Sequence, residues 1–365
     1  MSMPARLSPT SVAELVEAVR STPRILAVGS GTKPRLSAVD AVRLSTSKLT
    51  GILEYDSSEF TFTALAGTPL REIVAALAAQ GQYLPFDPVL VAAGATIGGT
   101  VAAGLSGPGR FRFGGVRDFI LGIKFVDGMG RLLRMGGKVV KNAAGFDLPK
   151  FFVGSLGRFG VLVEVTFKVF PTPPARLTLR LRLPVDGAET AARVLAELAN
   201  SRWEPEALDL PADDDHLWVR LAGPQVAIEE ISREILSRWP GENVDTAKAE
   251  AKWAGLGEFS WAAGARLIKL VLTADVLPAL ARSIASLDGI EGLVHVSAGG
   301  NVGFLSLASK ADASKVDEEL RKLNLRGVGL RGDGPLWYGA RKDFEIANAV
   351  KSALDPQDRF PGLNE

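Results

Sequence analysis

The 365-residue chain has no cysteine and only two histidines, His216 and His295. The missing thiols exclude disulfides, thiolate zinc sites and cysteine-ligated iron–sulfur clusters from this chain. Two histidines far apart in sequence do not make a histidine-rich metal centre, so no metal site is expected. Charge of one sign is also lacking: 42 basic side chains face 41 acidic ones. No Lys/Arg block stands out, and nucleic acid is not an expected partner. No apolar run approaches the ~20 residues of a membrane helix, so no transmembrane segment is expected. The start, Met1 to Arg6, leads into a polar capping stretch and not into a signal-peptide core. The expected location is cytoplasmic, with any attachment to the inner membrane peripheral and made through partners.

Apolar residues make up 47% and charged residues 23%, the balance of a globular enzyme, and the length suits two domains. Val12, Leu15, Val16 and Val19 follow a helical period behind a Ser/Thr-rich start. A buried strand, Ile25–Val28, runs directly into Gly29-Ser30-Gly31-Thr32-Lys33-Pro34. Short strands are expected at 42–44, 52–55 and 60–65. A helix then begins at Gly67-Thr68-Pro69, with Thr68 as N-cap, Pro69 in the first helical position and Gly81 as the stop. Eight glycines fall between Gly94 and Gly115, a density that no ordinary helix or strand tolerates. Strands at 119–126 and 132–135 read as a hairpin across Asp127-Gly128-Met129-Gly130. The alternation Val161, Val163, Val165, Phe167, Val169 marks a half-buried strand.

Pro171-Thr172-Pro173-Pro174 is the expected linker. Beyond it, Leu177, Leu179, Leu181 and Leu183 alternate with polar residues. A strand–helix–strand–helix order through 238 recurs between 267 and 323, which suggests an α+β domain of ferredoxin-like build, duplicated. A last helix is expected from Arg341 to Leu354.

The loop Gly29–Pro34 offers backbone N–H groups and one positive charge, Lys33, to an anion such as a pyrophosphate. Taken alone it reads equally well as a tight turn at the exit of a strand. It is not a dinucleotide fingerprint, because Pro34 stands where that motif needs glycine. Gly136-Gly137-Lys138 is likewise not a P-loop, since Val139 follows. A second block runs Gly94-Ala95-Thr96-Ile97-Gly98-Gly99, where Thr96 suits the cap of a short helix at 97–103, and continues to Phe113-Gly114-Gly115-Val116-Arg117-Asp118. The third block is Lys141-Asn142-Ala143-Ala144-Gly145-Phe146-Asp147-Leu148, then Gly154-Ser155-Leu156-Gly157-Arg158-Phe159-Gly160-Val161.

In order and spacing these blocks resemble the FAD-binding domain of the vanillyl-alcohol oxidase, or p-cresol methylhydroxylase (PCMH), superfamily. The resemblance covers roughly residues 8–171. Within the superfamily the run Gly137–Leu148 is most similar to the FAD-binding E-subunit family of glycolate oxidase-type complexes. The implied fold is α+β: a two-subdomain PCMH-type FAD domain over 1–172, a ferredoxin-like cap over 173–330, and a segment 331–365 that returns to the FAD domain.

The resemblance implies that FAD is held by Gly29, Ser30, Gly31, Thr32, Lys33 and Pro34, by Pro88, and by Gly94, Ala95, Thr96, Ile97, Gly98 and Gly99. Gly104, Gly107, Phe113, Arg117, Asp118, Gly157, Gly160 and Val161 complete the expected set, with Asp118 the more structural member. Thr32 stands where some relatives attach the flavin to a histidine, and the chain has no cysteine, so noncovalent FAD is expected.

The implied function is oxidation of a 2-hydroxy acid, glycolate to glyoxylate, with electrons passed to partners: a paralogous D-type FAD subunit and an iron–sulfur subunit. The alternatives are an electron-relay or structural subunit, and a self-standing oxidase with another substrate. No catalytic residue is assigned. Arg331, as a carboxylate clamp, Tyr338 and His295 are the weak candidates, and His216 reads as part of a solvated turn.

Overall fold

The computed structural model describes residues 6–137, 147–183, 187–262, 266–287, 292–308, 311–341 and 344–365. The expected Lys141–Phe146 part of the third block lies outside them. No helix among the described residues is long and apolar enough to cross a membrane. The chain divides into two compact units of the α+β class. The first comprises Met1–Ser106, Gly114–Thr172 and Asp343–Glu365, and the second comprises Gly107–Phe113 and Pro173–Lys342.

In the first unit, strands β1 (Arg6–Leu7), β2 (Ile25–Val28) and β3 (Val42–Ser45) form a parallel sheet in the order β1-β3-β2. The helix Val12–Ser21 connects β1 to β2, as parallel pairing requires. Ser11 caps it by accepting from the Glu14 N–H. Its apolar face buries Leu15 and Val19 against Ile25, Leu44, Val126, Val161, Val163 and Phe360.

A second sheet is antiparallel throughout. Its strands are β4 (Ile52–Asp56), β5 (Thr61–Leu65), β7 (Ile120–Val126), β8 (Leu132–Gly136) and β9 (Val161–Lys168), in the order β4-β5-β9-β7-β8. The short pair β6 (Gln82–Tyr83) and β10 (Phe170–Pro171) lies apart from it. The hairpin over 127–130 forms as expected, with Asp127 accepting from the Met129 and Arg131 N–H groups.

One expected cap is corrected. The helix Leu70–Ala78 has Pro69 at its N-cap, without a side-chain cap bond. Thr68 instead accepts from the Gly51 N–H at 2.9 Å and donates to the Leu65 carbonyl at 2.7 Å. The hydroxyl bonds a carbonyl three residues back and an N–H 17 residues away, so it ties down the loop and does not cap the helix.

The second unit holds two βαββαβ halves. The first has β11 (Ala175–Arg182), β12 (Ala207–Asp209), β13 (His216–Gly223) and β14 (Gly241–Val244) in the order β12-β13-β11-β14. The second has β15 (Arg266–Val271), β16 (Gly292–Ser297), β17 (Val302–Leu307) and β18 (Arg326–Arg331) in the matching order β16-β17-β15-β18, with β19 (Trp337–Gly339) added at the edge. Both are ferredoxin-like, so the expected duplication is present. One hydrophobic cluster runs through both halves, from Leu179 and Leu195 to Leu305 and Leu320. The sequence reading lacked the short strands β12 and β14 and the helix Thr246–Gly257.

The expected boundary at 331 shifts. Residues 331–341 stay with the second unit, where Trp337–Gly339 pairs with β18 at the sheet edge, and the described residues from 344 belong to the first unit. The described residues from 344 start with the helix Glu345–Leu354, four residues shorter at its start than expected. The Ile25 N–H donates to the Arg359 carbonyl at 2.8 Å, and the Gly128 N–H to the Leu354 carbonyl at 2.9 Å.

This return is pinned by a buried ion pair. The Lys351 ammonium donates to Asp355 at 2.7 Å and to the Phe360 carbonyl at 2.9 Å. Asp355 also accepts from the Arg359 and Phe360 N–H groups, both at 2.9 Å. Removing the carboxylate leaves the buried ammonium with the Phe360 carbonyl and the exposed Asp358, 3.3 Å away, and unpairs two N–H donors. Asp355→Ala is expected to cost the first unit about 3 kcal/mol in denaturant unfolding followed by circular dichroism. An unchanged midpoint would show that the pair is not what holds the segment.

Candidate functional site

Four segments converge in the first unit around one trench. Strand β2 delivers Gly29–Lys33 from its end, and Pro34–Ser37 follows as a single 3-10 turn. Opposite stands the helix Ile97–Ala103, capped by Thr96, which accepts from the Gly99 N–H at 3.2 Å. The loop after Phe152 joins this helix as the Gly154 N–H donates to Val101 and the Leu156 N–H to Ala102, both at 2.9 Å.

The approach leaves no room for side chains at two points. A Cβ on Gly29 would lie 2.3 Å from Thr96 Oγ1. A Cβ on Gly98 would lie 2.6 Å from the Ala66 Cβ, and the Gly98 N–H donates to the Ala66 carbonyl at 2.8 Å.

Two adjoining clefts result. One is lined by Val28 to Lys33, Leu36, Ser37, Thr96, Gly99, Ala102, Ala103 and Leu156. The other is lined by Thr46, Ala66, Gly98, Ser155, Gly157, Gly160 and Leu162. Ala27, Val28, Gly29, Gly99 and Ala102 belong to both, so the clefts form one elongated trench.

Among the described residues Lys33 is the only ionisable one lining either cleft. It is 9% exposed, and its ammonium donates to Thr32 Oγ1 at 3.0 Å. Burial lowers its pKa to about 8. A narrow trench with backbone exposed at glycines, several hydroxyls, one buried cation and no carboxylate fits an anionic, elongated ligand such as a dinucleotide.

Of the residues expected to hold FAD, Gly29, Ser30, Gly31, Thr32, Lys33, Thr96, Gly98, Gly99, Gly157 and Gly160 line the trench. Pro34 opens the adjoining turn. Gly94, Ala95 and Ile97 flank the Thr96 cap, and Gly104 ends its helix with a left-handed φ of 60°. Val161 is buried in the core. Pro88 lies outside the lining, and Gly107 and Phe113 fall in the second unit. Arg117 and Asp118 are exposed, and Asp118 accepts from the Gly115 N–H at 2.8 Å, a structural bond.

The sequence reading missed Thr46, Ala66, Ala102, Ala103, Ser155, Leu156 and Leu162 as lining residues. The small pair Ala102-Ala103, one turn after Gly98-Gly99, was the available signal.

None of the catalytic candidates lines this trench. His295 is 2% exposed on β16, with Nε2 3.1 Å from Asp209, and Asp209 also accepts from Ser297 and the Ala298 N–H. That network ties the two ferredoxin-like halves together. Arg331 donates to the Ala262 carbonyl, and Tyr338 is buried in the second unit's core. His216 is not in a solvated turn; it is the first residue of β13, half-buried, with Nδ1 2.9 Å from Asp214. Burial opposes ionisation of Asp214, yet bonds from Arg180, Trp218 and His216 outweigh it and hold the carboxyl down at about 2.

Residues 4–136 match the FAD binding domain family. The chain therefore carries a PCMH-type FAD-binding domain. It is 43% identical over 195 residues to the glycolate oxidase subunit GlcE of Escherichia coli (strain K12), which covers 53% of each chain. It is 32% identical over 158 residues to the glycolate oxidase subunit GlcD of Bacillus subtilis (strain 168), covering 43% of this chain and 33% of that one. It is also 34% identical over 184 residues to the D-2-hydroxyglutarate dehydrogenase of Xanthomonas citri pv. viticola (strain LMG 965 / NCPPB 2475 / ICMP 3867 / CFBP 7660), covering 48% and 39%. The matched stretch thus spans about half the length of the first relative and less of the others. A solved alkyldihydroxyacetonephosphate synthase superposes over 97% of this chain and 76% of that one, with a TM-score of 0.69 at 17% identity, which shows a shared fold.

The Gly29–Thr96 contact yields a test by double substitution. Gly29→Ala is expected to lower stability by about 1–3 kcal/mol and to weaken FAD binding at least tenfold. Adding Thr96→Ala removes the clashing hydroxyl and is expected to restore part of both, so the two substitutions will not add. Simple additivity in unfolding and flavin-release assays would contradict the contact.

Proposed function

We propose that this chain is the FAD-binding subunit of a glycolate oxidase-type complex, which oxidises a 2-hydroxy acid, glycolate to glyoxylate. The carrying observation is the glycine trench, which among the described residues has one buried lysine and no carboxylate in its lining, set in an FAD-binding domain whose relatives include glycolate oxidase subunits. In this reading the backbone around Gly29–Thr32 and Gly98-Gly99 grips the pyrophosphate, and Lys33 balances its charge. Gly157 and Gly160 keep the far end of the trench open to the rest of the cofactor. FAD supplies two-electron oxidation of the alcohol carbon. The second unit is assigned to substrate selection and to subunit contacts. The chain cannot ligate a cluster through cysteine, so its electrons pass to an iron–sulfur partner alongside a paralogous D-type flavoprotein. Its proposed location is cytoplasmic, with peripheral contact to the inner membrane through those partners.

A specific observation favours a second reading, an electron-relay subunit that does not itself oxidise substrate. Each histidine is engaged by an aspartate: His295 through Nε2 with Asp209, and His216 through Nδ1 with Asp214.

One measurement tests the noncovalent FAD common to both readings, and a second separates them. Acid precipitation is expected to leave the yellow colour in the supernatant, because the FAD is noncovalent; colour in the pellet would refute that. Anaerobic addition of glycolate or D-lactate to the purified chain is expected to bleach the flavin band if the chain oxidises substrate. Bleaching only after partner subunits are added would favour the relay.

A further inference from the structure

We propose that Lys33 makes FAD binding to the trench proton-linked, so that the protein takes up a proton with the cofactor in alkaline solution and releases FAD as pH rises. The inference rests on the assignment of the trench to the FAD pyrophosphate. Its geometric basis is that one ammonium, 9% exposed, is the only ionisable group among the described residues that line either cleft. The remaining polar lining is hydroxyls and backbone. A pyrophosphate placed there gains its one full countercharge from Lys33.

The charged groups described around the turn that carries Lys33 are the guanidiniums of Arg35, Arg43 and Arg158, together with Glu365, whose main-chain oxygen accepts from Arg158 at 2.6 Å. Arg35 lies on the same turn. Arg43, from β3, donates to the Ser37 carbonyl at 3.4 Å, and Arg158 donates to the Leu36 carbonyl at 3.5 Å. Burial lowers Arg158 only to about 10.

The sign follows from the direction of the shift. In the free protein burial holds the Lys33 pKa at about 8, below the ordinary lysine range. A dianionic pyrophosphate beside the ammonium favours the charged form and raises that value. Below pH 7 the lysine is charged in both states, and binding is independent of pH. Above pH 8 the free protein is neutral at this site and must bind a proton to hold the ligand. The FAD dissociation constant then rises about tenfold per pH unit until the pKa of the bound state is reached.

The test is a titration of the full-length apoprotein with FAD between pH 6.5 and 10, followed by flavin fluorescence, together with proton uptake in weak buffer at pH 9. The wild type is expected to bind uniformly up to about pH 7.5, to lose about tenfold per unit above pH 8, and to take up close to one proton per FAD at pH 9. Lys33→Met is expected to bind weakly with little slope, and Lys33→Arg, whose charge persists, to bind with little slope up to pH 10. FAD binding with a flat profile and no proton uptake in the wild type overturns the proposal, as does a Lys33→Met slope equal to that of the wild type. The proton-uptake measurement needs no variant and so stands even if a substitution impairs folding. Failure to bind FAD at any pH would overturn the trench assignment itself and not the linkage alone.

Discussion

Backbone must touch backbone or a small side chain where the first loop meets the cap of the helix at 97–103, and much of the first unit serves that contact. Gly29 against Thr96, and Gly98 against Ala66, each leave no space for a Cβ. The parallel sheet fixes where Gly29 emerges, because β2 is hydrogen-bonded to β3 from Ile25 to Val28. The antiparallel sheet fixes Ala66, one residue beyond the end of β5. The Thr96 hydroxyl accepts from Gly99, so the bond that starts the helix also sets one wall of the trench. Larger residues at these points would widen the trench and lose the N–H groups that an anion needs.

Charge in the trench follows the same economy. One lysine is buried where no carboxylate stands among the described lining residues, which raises the free energy of the empty protein's charged state. A bound dianion relieves that penalty. Cofactor affinity and the low pKa of Lys33 therefore have a single physical origin. A buried lysine paired to an aspartate, as Lys351 is to Asp355, carries no such sensitivity to ligand and serves to hold chain segments together.

The second unit solves a different problem. Each ferredoxin-like half presents one apolar sheet face, and the two faces and their helices share one core. The seam is reinforced by polar bonds from Asp209 to His295, Ser297 and Ala298. This accounts for His295 as a packed hydrogen-bonding residue. It also explains why a histidine on this strand was ambiguous in sequence: its partner lies 86 residues away.

Local chemistry was legible without coordinates wherever a residue's role is set by its neighbours in the chain. The helix at 12–21, the hairpin at 127–130, the Thr96 cap and the ferredoxin-like order all followed from periodicity, turn residues and caps. The sequence by itself also determined the absence of thiolate chemistry and, through the order of its glycine blocks, the resemblance to an FAD-binding domain. Thr68 was misread because a hydroxyl can bond equally well to a helix start or to a distant loop, and only Gly51 and Leu65 in place decide. The short strands β12 and β14 carried too few residues to show a period. Tertiary structure alone decided which glycines face the trench, that Lys33 is the only ionisable residue among the described ones lining it, and that residues 331–341 stay with the second unit. These are consequences of long-range close approach, and no spacing along the chain encodes the distance between Gly29 and Thr96.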